Sequence, residues 1–332
     1  MFRNGPVQHL RLDSKLSLSL SSTSQLPKSV VSKSLRLRKL TLTECGGIIS
    51  LHLECPSLIT FILSGCSSLE RASLTLAQVI SVEVRGLIRL RKLSLTAPGL
   101  RRLRVGSPRL ESLYLDQCGA LHRLAFFGCR ALQDEQLLNA GRRCPDVRTL
   151  TLMDCGSATA RGLREFKKVT SLDVKGSIIV DTPDLYDSCP NLRVLNIGTS
   201  DDDDVSRMQW AHTMGQDLSE GGRLPKLREL MVLNSFGSAA ILGVLTRCLH
   251  LSKVSVTSGK TLRELRLSKL SDEEKHPTHL LDFCASKCPV LREVTCESNS
   301  VWRSLMMLNL SECYKLTSVT LECPNLVTLL IR

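Results

Sequence analysis

The residues of this sequence that could do chemistry are first of all its 14 cysteines. Cys284 and Cys288 lie four residues apart with His279 nearby, and thiolate and imidazole groups are ligands that zinc prefers. A matched second pair of ligands is missing, so the spacing does not predict a zinc site. The run Asp201–Asp204 offers oxygen ligands for calcium, but no spaced ligand loop follows it. We therefore predict no metal and no cofactor.

Catalytic motifs are also absent from the sequence. Gly259-Lys260-Thr261 follows the apolar segment Val254–Val256 and resembles the end of a phosphate-binding loop. Such a loop needs a second glycine five residues before Gly259, where this sequence has Val254. No G-x-S-x-G or H-E-x-x-H motif occurs, and the seven histidines are scattered. We predict no catalytic residue and expect that the chain is not an enzyme.

Most of the cysteines fall into two positional sets that indicate a structural role. One set lies three residues after the last apolar position of a short apolar segment: Cys45, Cys66, Cys118, Cys129, Cys155 and Cys313. The other set precedes proline: Cys55, Cys144, Cys189, Cys288 and Cys323. A small side chain with a weak donor can turn inward there and meet nearby carbonyls. Reduced, buried thiols predict a cytoplasmic or nuclear location.

The elements that position these cysteines are short repeats of the pattern L-x-x-L-x-L, recurring every ten or eleven residues. The pattern starts at Leu37, Ile48, Leu58, Leu69, Val79, Leu90, Leu100, Leu110 and Leu121. Its fourth and sixth positions lie on one side of a strand, and the residue between them points outward. One such strand is too short to be stable alone, so the strands must stack. The pattern predicts a leucine-rich-repeat solenoid.

The repeat step is half that of an ordinary leucine-rich repeat of about 20–29 residues, which predicts two strands in each coil. Coils would begin near Leu37, Leu58, Val79, Leu100 and Leu121. Beyond Leu121 the steps lengthen, and three helical patterns occur: Leu132–Leu138, Ala239–Cys248 and His279–Cys288. We predict an α/β solenoid, a horseshoe like that of ribonuclease inhibitor. Its N-terminal half would be strand-rich on both faces and its C-terminal half strand plus helix.

The same patterns predict the domain organisation. Residues 1–36 are expected to form a degenerate first repeat or an N-terminal extension, and residues 37–332 a single solenoid. An insertion loop is predicted near 199–223, where the interval between repeats is longest and contains Asp201–Asp204. No stretch approaches the length of a transmembrane helix, so no membrane partner is expected.

The net charge of +12 is concentrated in part between Arg85 and Arg109. No aromatic side chain lies among those basic residues, so nucleic acid is not an expected partner. A solvated face, or a docking site for an acidic protein, fits the segment better. Candidate partner-binding residues are the outward strand positions: Thr41, Ile62, Glu83, Arg104, Tyr114, Thr151, Asp173 and Asn196.

Two cysteine signatures together resemble the cysteine-containing repeats of F-box/LRR-repeat proteins, with the F-box/LRR-repeat protein 15 group as the nearest match. One signature is the strand Leu150–Cys155, and the other is the Cys-Pro-x-Leu of Cys189–Leu192, Cys288–Leu291 and Cys323–Leu326. The resemblance implies a substrate-recognition module of an SCF-type E3 ubiquitin ligase, acting in ubiquitin-dependent protein degradation. Its partner would be a protein substrate.

This sequence contains no F-box, so binding of the Skp adaptor and a cullin is expected only if an F-box lies upstream. The sequence begins close to a repeat and ends inside a predicted strand, Leu329–Arg332, which suggests a fragment. The alternative function is a stand-alone leucine-rich-repeat scaffold or a receptor fragment without a ligase link.

Overall fold

The computed structural model describes residues 17–21, 29–33, 36–177, 185, 187–198, 224–234, 245, 248, 250–266, 279–296 and 302–331. The chain forms two compact units, Met1–Lys168 and Val169–Arg332. The predicted insertion near 199–223, with its Asp201–Asp204 run, lies outside the described residues. So does the helical pattern Ala239–Cys248, apart from Leu245 and Cys248.

Short parallel strands on two faces build the first unit. Seven of them form what we term the front sheet: β1 (Ser17–Ser21), β3 (Lys39–Thr43), β5 (Thr60–Ser64), β7 (Ser81–Arg85), β9 (Arg102–Val105), β11 (Arg123–Phe127) and β12 (Thr149–Met153). Five form the back sheet: β2 (Ser29–Lys33), β4 (Ser50–Glu54), β6 (Arg71–Thr75), β8 (Lys92–Thr96) and β10 (Ser112–Asp116). From β1 to β11 successive strands alternate between the two sheets, which confirms two strands per coil.

The core of the first unit lies between the front and back sheets. All nine starting residues of the repeat, from Leu37 to Leu121, are buried, and so are the second and fourth residues of strands β3 to β12. Leu40 pairs with Phe61 across β3 and β5, and Phe61 pairs with Val82 across β5 and β7. A shift of one residue would turn these side chains to solvent, so the apolar pattern fixes the register.

The described part of the first unit also contains the α-helix α1 (Asp134–Arg143), which confirms the helix predicted from Leu132–Leu138. Its start is fixed by a polar contact, because the Gln133 backbone N–H donates to Gln136 Oε1 at 3.1 Å. Acidic residues occupy its first turn and basic residues its last turn, as the helix dipole favours. Leu137 and Ala140 face the core.

The described residues of the second unit also form short parallel strands, in two sheets. Its seven-stranded sheet contains β13 (Ser171–Asp173), β14 (Val194–Gly198), β15 (Glu229–Leu233), β16 (Lys253–Thr257), β18 (Asp282–Ser286), β20 (Met307–Asn309) and β22 (Thr328–Leu330). Its three-stranded sheet contains β17 (Glu264–Arg266), β19 (Glu293–Cys296) and β21 (Ser318–Leu321). All described pairings within these sheets are parallel.

The helix predicted over His279–Cys288 is wrong, because that segment contains strand β18. Leu280, Phe283 and Ala285 are all buried, and they fill the three apolar positions of the repeat. An apolar spacing of three is shared by a helix face and by the start of this repeat. The additional spacing of two, from Phe283 to Ala285, is the strand signal. Cys284 consequently points away from the core while Cys288 is buried.

Candidate functional site

Five of the predicted partner-binding residues lie in one outward row on the front sheet, which we call the front row. The strand register pairs Thr41 with Ile62, Ile62 with Glu83, and Glu83 with Arg104. Arg104 pairs with Ala125, and Ala125 pairs with Thr151. Two half-repeats make one coil, so residues about twenty positions apart in the chain lie on adjacent strands of the front sheet. Adjacent strands are about 4.8 Å apart.

Tyr114 does not belong to this row, because it lies on the back sheet. It is 46% exposed on β10 and pairs with Ser94 of β8. The Arg143 guanidinium carbon lies 4.2 Å from the centre of its ring, a cation–π contact between the back sheet and α1. Strand alternation explains the separation, because β10 is an even-numbered strand and the front-row strands β3 to β11 are odd-numbered.

In the second unit, Asp173 and Asn196 pair across β13 and β14. Asn196 Nδ2 donates to Asp173 Oδ2 at 3.2 Å, and Lys175 Nζ lies 3.4 Å from the same oxygen. The neighbouring outward positions are Met231 on β15 and Ser255 on β16. These two predicted residues therefore form a small polar cluster within the second unit.

An arginine-lined hollow on the front side of the first unit was not predicted. It has a volume of about 840 Å³ and is lined by Arg85, Gly86, Arg104, Gly106, Pro108, Phe127, Gly128 and Arg130. From the sequence, only the basic segment Arg85–Arg109 pointed to this region, and it contains Arg85 and Arg104 of the lining. Gly128 and Arg130 belong to the next coil, and no local sequence spacing predicts that they line the same hollow.

Glu83 partly neutralises the arginines of this hollow. Its carboxylate pairs with the Arg85 guanidinium and lies 3.7 Å from Arg104 Nη1. The two arginine side chains are more than half exposed and Glu83 is about one third exposed, so each pair is worth less than about 1 kcal/mol. Glu83 therefore contacts both arginines and offsets one of their two positive charges.

The six predicted structural cysteines lie at the ends of strands and are all buried. In each, the thiol meets the backbone carbonyl two residues earlier, as when Cys118 Sγ donates to Asp116 O at 3.2 Å. Cys313 also donates to Ala285 O of the neighbouring coil at 3.0 Å. All 14 cysteines lie in the described part of the chain, and none of them forms a disulfide there.

Burial suppresses ionisation of several thiols. Burial raises the pKa of Cys66 to about 11 and the pKa values of Cys144 and Cys248 to about 12, from an ordinary value of 9.0. A hydrogen bond with Cys129, together with burial, also raises the pKa of Cys155. Because the thiolate is the reactive form, these groups are inert near neutral pH.

We expect the free energy of unfolding to fall as the pH rises from about 9 towards 11. Below pH 9.0 both states hold the Cys66 proton, and between 9.0 and about 11 only the folded state retains it. Urea unfolding at about pH 8 and about pH 10.5 measures the loss. Lysine and tyrosine also titrate in this window, so the comparison is with Cys66→Ser, whose hydroxyl does not ionise. An equal loss in both proteins would show that Cys66 does not contribute.

Within the described residues, no group of three or more histidine, cysteine, aspartate or glutamate side chains is arranged to hold a metal ion. Over the same residues, no helix has the length and apolar character needed to span a bilayer.

The repeat pattern, the parallel ladders and the aliphatic core together define a leucine-rich-repeat solenoid. No protein-family model and no curated protein matches the chain. Among solved structures, the chain is similar to the crystal structure of a TLR13–ssRNA13 complex, with 12% sequence identity and a TM-score of 0.35. That match covers 89% of this chain, which spans only 65% of the other. A similarity this low gives no information about what this chain binds.

Proposed function

We propose that the chain is a protein-recognition module that binds its partner through the front row of the first unit. One contrast along the front strands carries this proposal. Their inward positions are uniformly apolar, whereas the outward position changes from Thr41 to Ile62, Glu83 and Arg104. A regular backbone that presents a different outward side chain on each successive strand is suited to binding an extended partner surface. Ile62, which is 36% exposed, is the apolar anchor of the row.

We further propose that the partner is a substrate of an SCF-type ubiquitin ligase and that the protein acts in the cytoplasm or nucleus. The support is the resemblance of the cysteine repeats to those of F-box/LRR-repeat proteins. The free thiols are consistent with a reducing compartment. Recruitment of the Skp adaptor would require an F-box elsewhere in the same protein.

Ile62→Gln tests the binding face, with Ile88→Gln as the matched control. Ile88 is 54% exposed and lies after β7, outside the front row. We expect Ile62→Gln to weaken partner binding about tenfold, since it removes an apolar anchor from a contact surface, and Ile88→Gln to leave binding unchanged. The readout is quantitative mass spectrometry of proteins captured by each variant from cells. Equal losses in both variants would contradict the proposed face.

The ligase role is tested separately by blocking cullin activation in the same cells. Proteins that are captured by the wild-type chain and lost with Ile62→Gln should then accumulate if they are ligase substrates. Unchanged levels would leave a binding scaffold without a ligase link.

A further inference from the structure

We propose that the outward face of the back sheet is a second interaction surface, which binds an extended, acidic segment of a partner protein. The observation that carries this inference is a shallow groove of about 450 Å³ that crosses strands β4, β6, β8 and β10. The groove lies on a different sheet from the front row, so this inference does not rest on the proposed function.

The floor of the groove is a row of outward side chains that we call the back row. The strand register pairs His52 with Ser73, Ser73 with Ser94, and Ser94 with Tyr114. Two small side chains thus lie between two rings, and the three strand steps span about 14 Å. A serine hydroxyl both donates and accepts, so the middle of the row can hydrogen-bond to the backbone of a bound peptide.

Two positive charges lie beside the serines. Arg71 and Lys92 are the first residues of β6 and β8, they pair in the register, and both are exposed. Neither side chain forms an ion pair with a residue that the structure describes. Like charges placed opposite each other on adjacent strands repel. A carboxylate that contacts both groups would remove this repulsion, so the pair is complementary to an acidic side chain.

The carboxylates at the end of the same strands do not fill this role. Glu54 Oε1 lies 3.6 Å from His52 Nε2, and Asp116 Oδ1 accepts from Arg143 Nη1 at 3.1 Å. Both acidic residues are the last residues of their strands, whereas the two cations are the first residues of theirs. First and last residues of a five-residue strand are about 13 Å apart. The missing carboxylate therefore has to come from a partner.

Tyr114 supplies an apolar contact at one end of the groove. The ring is 46% exposed and lies 4.2 Å from the Arg143 guanidinium carbon, which the contact with Asp116 holds in place. A ring that is already held loses little freedom when a partner residue packs against it. It lies about 7 to 10 Å from the cation pair, which an extended chain covers in two or three residues. We therefore expect an acidic residue two or three positions from an apolar one.

The distribution of charge favours a protein segment over a nucleic acid. At the outward positions of β4, β6, β8 and β10, Arg71 and Lys92 are the only arginine or lysine residues, and β4 and β10 each end in a carboxylate. A nucleic-acid strand that crossed the sheet would bring one phosphate after another past those carboxylates. Other nearby arginines lie in a different hollow, which Glu70 also lines. A peptide with one or two acidic side chains matches this pattern.

Arg71→Glu tests the cation pair, with Arg102→Glu as the matched control. Arg71 begins a back strand and Arg102 begins a front strand, and both side chains are exposed. The two variants change the net charge equally, so a loss of general electrostatic attraction would affect both. Both should fold like the wild-type chain, which thermal unfolding verifies.

The probe is an array of glycine–serine peptides that carry one glutamate and one phenylalanine at varied spacing. Matched peptides carry glutamine or alanine instead. We expect the full chain to bind peptides with glutamate two or three positions from phenylalanine and to lose them when glutamine replaces glutamate. For the best peptide, fluorescence anisotropy should show Arg71→Glu binding about tenfold or more weakly and Arg102→Glu within about threefold of wild type.

Tyr114→Ser and Tyr114→Phe test the apolar end of the groove. Serine already occupies the equivalent position on β6 and β8, so the strand accepts it, and phenylalanine keeps the ring. We expect Tyr114→Ser to weaken binding of the same peptide about tenfold and Tyr114→Phe to keep it within about threefold.

Four results would overturn the inference. They are the absence of glutamate-dependent binding, equal losses in Arg71→Glu and Arg102→Glu, equal affinity of the two Tyr114 variants, or tighter binding of a single-stranded RNA probe that Arg71→Glu abolishes. Ile62→Gln distinguishes this surface from the front row. It should leave peptide binding unchanged whether or not it affects partner capture, and a loss of peptide binding would place the peptide on the front sheet instead.

Discussion

Phe126→Ala should destabilise the first unit by about 3–5 kcal/mol. Phe126 lies on β11 with none of its surface exposed, and it pairs with Val105 of β9 and Leu152 of β12, which are also fully buried. Short strands held between neighbours on both sides cannot collapse onto the space that a lost ring leaves. The cost therefore includes both the lost burial and the remaining cavity.

Phe127→Ala is the matched control, because Phe127 is the next residue on the same strand and points outward. Its side chain is half-buried, so we expect its loss to cost well under half as much. Hydrogen exchange measured by mass spectrometry follows the amides of β9, β11 and β12 directly. Similar acceleration of exchange in the two variants would show that β11 does not present opposite faces to core and solvent.

The repeat made most of the first unit predictable. A strand has a side-chain period of two, so the spacing between the fourth and sixth pattern positions fixes which residues are inward. All nine starting positions from Leu37 to Leu121 are buried as expected. The half-length step also predicted two strands per coil, since an ordinary repeat is about twice as long.

The second unit and the hollow were harder to predict for physical reasons. The segment that contains β18 satisfies helical spacing over its first residues, and only Ala285 distinguishes the strand. Arg85 and Arg130 are separated by 45 positions in the chain and line the same hollow because only strand β9 lies between β7 and β11. Whether an outward residue faces front or back depends on strand alternation, which is why Tyr114 was grouped with Arg104 and lies on the other sheet.

The separation of inward and outward positions also separates stability from recognition. Inward residues such as Phe126 hold the coils together, and the residue between them can change without disturbing the register. Ala125 is the small outward residue beside Arg104 in the front row. Substitutions in the front row should therefore alter binding with little effect on unfolding, which makes the variants proposed above interpretable.

Gly198→Ala should destabilise the second unit by about 3 kcal/mol or more. Gly198 ends β14 with a φ of 127°, a backbone conformation that is essentially restricted to glycine. An added Cβ would overlap the carbonyl oxygen of Leu233 and lie 2.7 Å from its backbone nitrogen, and Leu233 belongs to the paired strand β15. Backbone atoms of a paired strand cannot move aside without breaking the ladder, so both strain and overlap persist.

The control for this change is Gly156→Ala, in the first unit. An added Cβ there meets nothing within 4 Å, and the residue has no positive φ. We expect a change of less than about 1 kcal/mol, in the stabilising direction, because alanine restricts the unfolded chain. Hydrogen exchange of β14 and β15 amides should accelerate strongly in Gly198→Ala and remain unchanged in Gly156→Ala. Unchanged protection of β14 in Gly198→Ala would mean that the backbone at this strand end relaxes to accept a side chain.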